Sequence, residues 1–176
     1  MRPLFLLREY FFWGGMTINY ISNIKRLTHT FFIDYDEINY PEILRKEQRP
    51  YNVVLIKGLG DYFLCVPFRT NIRHKYAYHF KRTNRSKAHK SGLDYQKMII
   101  INQDSYIDSV NNIIIDNDEY IEYITNLDKI NQEALQFLQD YIDYRKMMST
   151  ISFQEFERRY KFSPLQYFDS IIIKPC

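Results

Sequence analysis

At 176 residues the chain is long enough for one compact domain and short for two, and a composition that is 45% hydrophobic and 17% aromatic, with 5 Gly and 6 Pro, excludes a disordered polymer. The net charge of +3 conceals a segregation: from Arg69 to Lys97 nine Lys or Arg accompany one acid, Asp94, leaving +8 there and −5 for the remainder. The two cysteines, Cys65 in an apolar run and Cys176, have no Cys or His nearby at a ligand spacing, which argues against a zinc motif or disulfide framework and points to a reducing cytoplasm.

The first fifteen residues, MRPLFLLREYFFWGG, start as a secretory signal does, but Arg8 and Glu9 cut the apolar run and no small-x-small cleavage site follows. The run is also too short to span a bilayer, so no membrane association is expected. Gly14-Gly15-Met16 leaves Met1 and Met16 as two readings of the natural start, the residues before Met16 then being an overhang or a poorly ordered tail. One domain is expected over 1–176, with its core at about 30–170.

Tyr51 to Lys57 and Tyr62 to Phe68 are rich in β-branched and aromatic residues, and Gly58-Leu59-Gly60-Asp61 between them predicts a hairpin. Both strands are apolar on both faces, which places them inside a sheet covered on two sides. Pro67 lacks an amide proton, so the chain is expected to leave the sheet just before the basic stretch. Tyr95 to Ile101 (YQKMIII) reads as a further core strand.

From Asn117 the period changes. Tyr120, Ile124, Leu127, Ala134, Leu138 and Tyr141 recur at helical spacing, predicting one buried face on one long or two short helices. Ser152-Phe153-Gln154-Glu155 fits a capping box opening a helix to about Tyr160, and Ser163-Pro164 opens another short one. Ten acids lie between Asp104 and Asp143 against Lys129 alone, so a polyanion approaching the basic stretch is expected to be steered away from this half. Asp116-Asn117-Asp118-Glu119 lacks the glycine and distal glutamate of a calcium loop; acids opening a helix account for it better.

The clustered cations call for a phosphate backbone as partner. Tyr76, Tyr78 and Phe80 alternate in KYAYHF, so in an extended segment they share one side, either stacking on splayed RNA bases or facing the core. His74, His79 and His89 are groups that exchange protons near neutrality, and Arg offers forked donors to phosphate oxygens. Metal-free RNA cleavage through the 2′-hydroxyl needs a base, an acid and donors for the phosphorus oxygens, and this stretch holds candidates for each.

Taken in order, Arg49-Pro50 opening a strand, a hairpin, V-P-F-R-T-N ending its second strand, a basic loop and S-G-L-D-Y-Q-K-M-I-I-I resemble the endoribonuclease toxins of type III toxin–antitoxin systems. These are the ToxN, AbiQ and TenpN proteins, the TenpN branch being closest, and they are similar to MazF and Kid. The likeness runs from about Phe31 to Tyr167, its motifs from Arg49 to Ile101. It implies an α+β fold with a small, twisted antiparallel sheet or SH3-like barrel buttressed by C-terminal helices.

By position, the family's basic residue falls on Arg49 and its Thr-Ser-x-Lys run on Thr70-Asn71-Ile72-Arg73, where Asn71 replaces a serine and Arg73 a lysine. The resemblance also implies a cofactor-free RNase that leaves a 2′,3′-cyclic phosphate and is held inactive by a structured antitoxin RNA it processes itself. The expected reacting cluster is Arg49, Arg69, Thr70, Asn71, Arg73 and His74, with the three arginines on phosphate and His74 shuttling a proton. Lys75, Tyr76, Tyr78, His79, Lys81, Arg82, Arg85, Lys87, Lys90 and Lys97 are expected to bind RNA. The alternative is an RNA-binding module without catalysis.

Overall fold

A computed structural model describes residues 6–13, 16–56, 62–111 and 113–173, with side chains from Ser22 onward except at residues 55 and 56. The chain is α+β. In order it forms β1 (Leu6–Trp13), β2 (Met16–Leu27), α1 (His29–Asp34), β3 (Tyr51–Ile56), β4 (Tyr62–Arg69), β5 (Ala77–His79), α2 (Asn84–His89), β6 (Gly92–Asp94), β7 (Ile99–Ile101), β8 (Ile107–Asp108), α3 (Asn117–Thr125), α4 (Leu127–Arg145), α5 (Phe153–Tyr160) and α6 (Asp169–Ile172). All pairings are antiparallel, in the order β1-β2-β3-β4-β6-β5, with β7 also on β4 and β8 on the end of β2.

The expected hairpin strands are β3 and β4, in register from Tyr51↔Pro67 to Ile56↔Tyr62; the Gly58–Asp61 connection lies outside the described residues. Leu64 through Phe68 are all buried, as a strand covered on both faces requires. The strand runs two residues beyond Pro67, because the amide of Phe68 bonds the Pro50 carbonyl at 2.9 Å and Phe68 and Arg69 pair with Leu93 and Gly92. Leu6–Trp13, within the segment read as an overhang or tail, runs antiparallel to β2.

The strand expected over Tyr95–Ile101 is divided. The Tyr76 carbonyl takes the amides of Tyr95 and Gln96 at 3.1 and 3.3 Å, coiling Tyr95–Lys97 into a 3₁₀ turn between β6 and β7. β6 and β7 thus lie along the same edge of β4, one at each end. Gly92 is required here: a Cβ at this position would stand 1.9 Å from the Tyr78 carbonyl oxygen of the neighbouring strand β5.

The helical half forms two helices from Asn117, as the periodicity predicts, and buries Leu127, Ala134, Leu138 and Tyr141 against the sheet; Tyr120, at 39% exposure, points away. α3 opens with Asp118 and Glu119 in its first turn. Ser152 Oγ accepts the Glu155 amide at 3.2 Å, but the glutamate does not complete the box: its carboxylate goes to Arg159 Nε at 2.6 Å and to Arg158. Ser163-Pro164 opens a 3₁₀ segment to Phe168.

A buried polar knot ties the halves together. The Asn52 carbonyl oxygen accepts Ser22 Oγ and the Tyr123 hydroxyl, at 2.5 and 2.8 Å, and its amide donates to Asn131 on α4 at 2.8 Å. Cys65 is buried, and its thiol is pushed up by burial. No helix among the described residues is long and apolar enough to cross a membrane. The Gly92→Ala substitution is expected to cost about 2–3 kcal/mol, read as a fall in the urea midpoint.

Candidate functional site

Arg69 ends β4, and the following loop is bent by Asn71, whose φ of 58° lies in the left-handed region that Asn tolerates. The Asn71 amide bonds the His89 carbonyl at 2.5 Å and the Ile72 amide bonds that of Lys90 at 3.2 Å, so the loop is fastened to the end of α2. Ile72 is buried beneath it, while Asn71 and Arg73 are exposed.

Asp94, the lone acid of the basic stretch, is 0% exposed at the end of β6. Its Oδ2 accepts Arg69 Nη1 at 2.7 Å, and His74 Nε2 stands 3.3 Å from its Oδ1. Burial alone pushes the carboxyl up; the contacts with His74 and Arg69 outweigh it and hold the group below the ordinary aspartate value. Both ring nitrogens of His74 are enclosed, and the ring lies nearly parallel to that of Tyr76, centroids 6.2 Å apart. His74 and Arg69 thus meet on the two oxygens of one carboxylate.

On the outer side of Arg69 lies a cleft of about 440 Å³ lined by Lys46, Arg49, Arg69, Thr70, Arg85 and Glu119, among others. Arg49 reaches it from the start of β3; Nη1 donates to the Phe68 carbonyl at 2.9 Å and Nε is buried without a partner. Burial, then the charge of Arg69, lowers the affinity of Arg49 for its proton, against the opposing pull of Tyr51 and Asp94. Two guanidiniums held near one another and partly stripped of water favour an anion between them. Of the predicted reacting residues, Arg49, Arg69 and Thr70 therefore line one cleft, His74 lies behind it, and Asn71 and Arg73 sit outside its lining on the exposed loop.

The residues expected to bind RNA divide. Lys75, Lys81, Arg82, Lys87 and Lys90 are exposed, and no ion pair engages them among the described residues. Arg85 donates to Asp116 at 2.6 Å. Lys97 is a structural tie, its ammonium bonded to the Glu42 carboxylate and to the Phe162 carbonyl at 2.7 Å. Tyr78 and Phe80, at 7% and 5% exposure, belong to the core, and Tyr76 packs on Phe137; the alternation marks a buried face and not a platform for bases. The His79 ring bonds the His74 carbonyl at 2.9 Å and so shapes the loop.

The acidic half does not stand apart from the basic stretch. The Glu122 carboxylate receives the amides of Lys81 and Arg82 at 2.8 and 3.0 Å, and Asp118 that of Asn84 at 2.7 Å. Sequence reasoning missed Asp94, Lys46 and Glu119. For Asp94 there was a signal: one carboxylate among nine cations, beside apolar Leu93, is placed to be paired when the segment folds inward. Comparison of the chain with protein-family models, curated proteins and solved structures finds no match.

Because the folded Asp94 carboxyl is held below its unfolded value, the stability it contributes is fully present above the unfolded value and is lost as pH falls through the folded one. Asp94→Asn is therefore expected to destabilise the protein by about 3 kcal/mol at neutral pH. The gap from the parent should close on acidification below the ordinary aspartate range, as measured by urea unfolding over a pH series.

Proposed function

We propose that this chain is a metal-independent endoribonuclease toxin of a type III toxin–antitoxin system, cutting single-stranded RNA by attack of a 2′-hydroxyl to leave a 2′,3′-cyclic phosphate. The observation that carries the reading is the meeting of Arg49, Arg69 and Thr70, distant in sequence or at a strand end, in one cleft backed by the buried Asp94. Arg49 and Arg69 clamp the scissile phosphate, and the Thr70 hydroxyl orients it. Arg73, Lys75, Lys81, Arg82, Lys87 and Lys90, all exposed, track the flanking backbone.

The ordered motifs from Arg49 to Ile101 supply the toxin assignment, and with it the antitoxin RNA and target messenger RNA as partners, a toxin–RNA assembly, a role in defence against phage, and a cytoplasmic setting. The sheet is open; what supports a core of the MazF and Kid type is that β7 and β8 pair with β4 and β2, the two neighbours of β3. The enclosed nitrogens of His74 favour the second reading, a module that binds RNA without cutting it.

Incubation of the purified protein with RNA in excess chelator separates the two. The nuclease reading expects fragments ending in cyclic phosphate, reduced about 100-fold or more by Arg69→Ala. Lys87→Ala should weaken binding uniformly and lower the salt slope by about 1. RNA that is bound but never broken supports the module and overturns the nuclease.

A further inference from the structure

We infer that Glu119 is the proton acceptor of this cleft, taking the proton of the attacking ribose 2′-hydroxyl; the inference rests on the nuclease reading and deepens it. Glu119 stands in the first turn of α3, 3% exposed, and lines the same cleft as Arg49, Arg69 and Thr70. One carboxylate oxygen, Oε1, accepts the buried Ser91 hydroxyl at 2.7 Å, which fixes the orientation of the group. The other, Oε2, makes no hydrogen bond among the described residues; Arg85 Nε is 3.8 Å away, beyond hydrogen-bonding distance. A fixed carboxylate with one unfilled acceptor, beside guanidiniums suited to a phosphate, has the geometry of a general base.

The surroundings suit the role. Burial is the leading influence and raises the affinity of Glu119 for a proton; Asp116 and Asp118, at the start of its own helix, add to this. Ser91 and Arg85 of α2 oppose it, and the net position is above the ordinary glutamate value. Lys46, Arg49 and Arg69 face the cleft from the other side. The histidines do not compete: His74 is enclosed, His79 is spent on a carbonyl, and His89 is exposed on α2 outside the cleft lining.

In the reaction the 2′-hydroxyl proton passes to Glu119 Oε2, the 2′-oxygen bonds to phosphorus, and the bond from phosphorus to the 5′-oxygen breaks. The departing 5′-oxygen takes a proton from a water molecule, and the hydroxide left behind removes the proton from Glu119, restoring the carboxylate and the water. A chain lacking the 2′-hydroxyl offers Glu119 nothing to deprotonate, so the site acts on RNA and not DNA.

The test is Glu119→Gln against the parent in single-turnover cleavage of an RNA oligonucleotide from about pH 4 to about pH 8, with binding measured on the same oligonucleotide carrying a 2′-deoxy cut site. The parent rate is expected to fall on the acid side as the carboxylate is protonated. The variant should lose that limb and about 100-fold or more of the rate, while binding changes less than about threefold, because the amide oxygen still accepts from Ser91. A melting temperature no lower than the parent's checks the fold. A second variant, Ser91→Ala, removes a contact that favours the charged carboxylate and should move the acid limb to higher pH. Unchanged limbs and rates in both variants overturn the role of Glu119 and leave the nuclease reading standing; a parent that never cuts RNA overturns that reading, and this inference with it.

Discussion

A carboxylate with no solvent contact, at the end of a three-residue strand, is tolerable only if donors come to it, and Asp94 draws in the Arg69 guanidinium and the His74 ring. Arg69 must reach it from the end of β4 and His74 from the loop before β5, so the exit of one strand, the approach to another and the end of a third are fixed by one group. Arg69 spends Nη1 on this contact and keeps its other donors in a defined orientation beside the cleft. Without Asp94 the two guanidiniums of Arg49 and Arg69 would repel one another across a wall free to spread.

A second constraint lies in the core. Asn52, wholly buried in β3, is satisfied by Ser22 on β2, Tyr123 on α3 and Asn131 on α4. Each partner comes from a different element, so the knot forms only when sheet and helices are in register. Since Glu119 and Tyr123 share α3, the contacts that seat Tyr123 also set how far Glu119 projects toward the cleft.

Elements governed by local rules were legible in the sequence. The hairpin of β3 and β4, the change of period at Asn117 and the Ser152 cap depend on residues a few positions apart, and each appears where expected. What depends on a distant partner was not legible. YQKMIII has the composition of a strand throughout, and its first part coils into a turn where the distant Tyr76 carbonyl takes the amides of Tyr95 and Gln96 and the Met98 amide bonds the Tyr95 carbonyl. Lys97 looked like one more cation of the basic stretch because nothing nearby names Glu42 or Phe162. For the site, Arg49, Arg69 and Thr70 were readable as chemistry, Asp94 was marked by its isolation among cations, and Glu119 acquires its significance only through burial.

The docking of α3 onto the basic lobe gives the helical half a further office. Glu122 and Asp118 hold the backbone amides of Lys81, Arg82 and Asn84, and Asp116 pairs with the Arg85 guanidinium, so one cation of the basic stretch has its counter-ion built into the chain. Dissolved salt then acts twice, screening the exposed lysines from any polyanion and weakening the ion pairs that join α3 to the basic stretch. The steepness with which ionic strength weakens any complex will therefore contain a conformational part as well as the release of small ions.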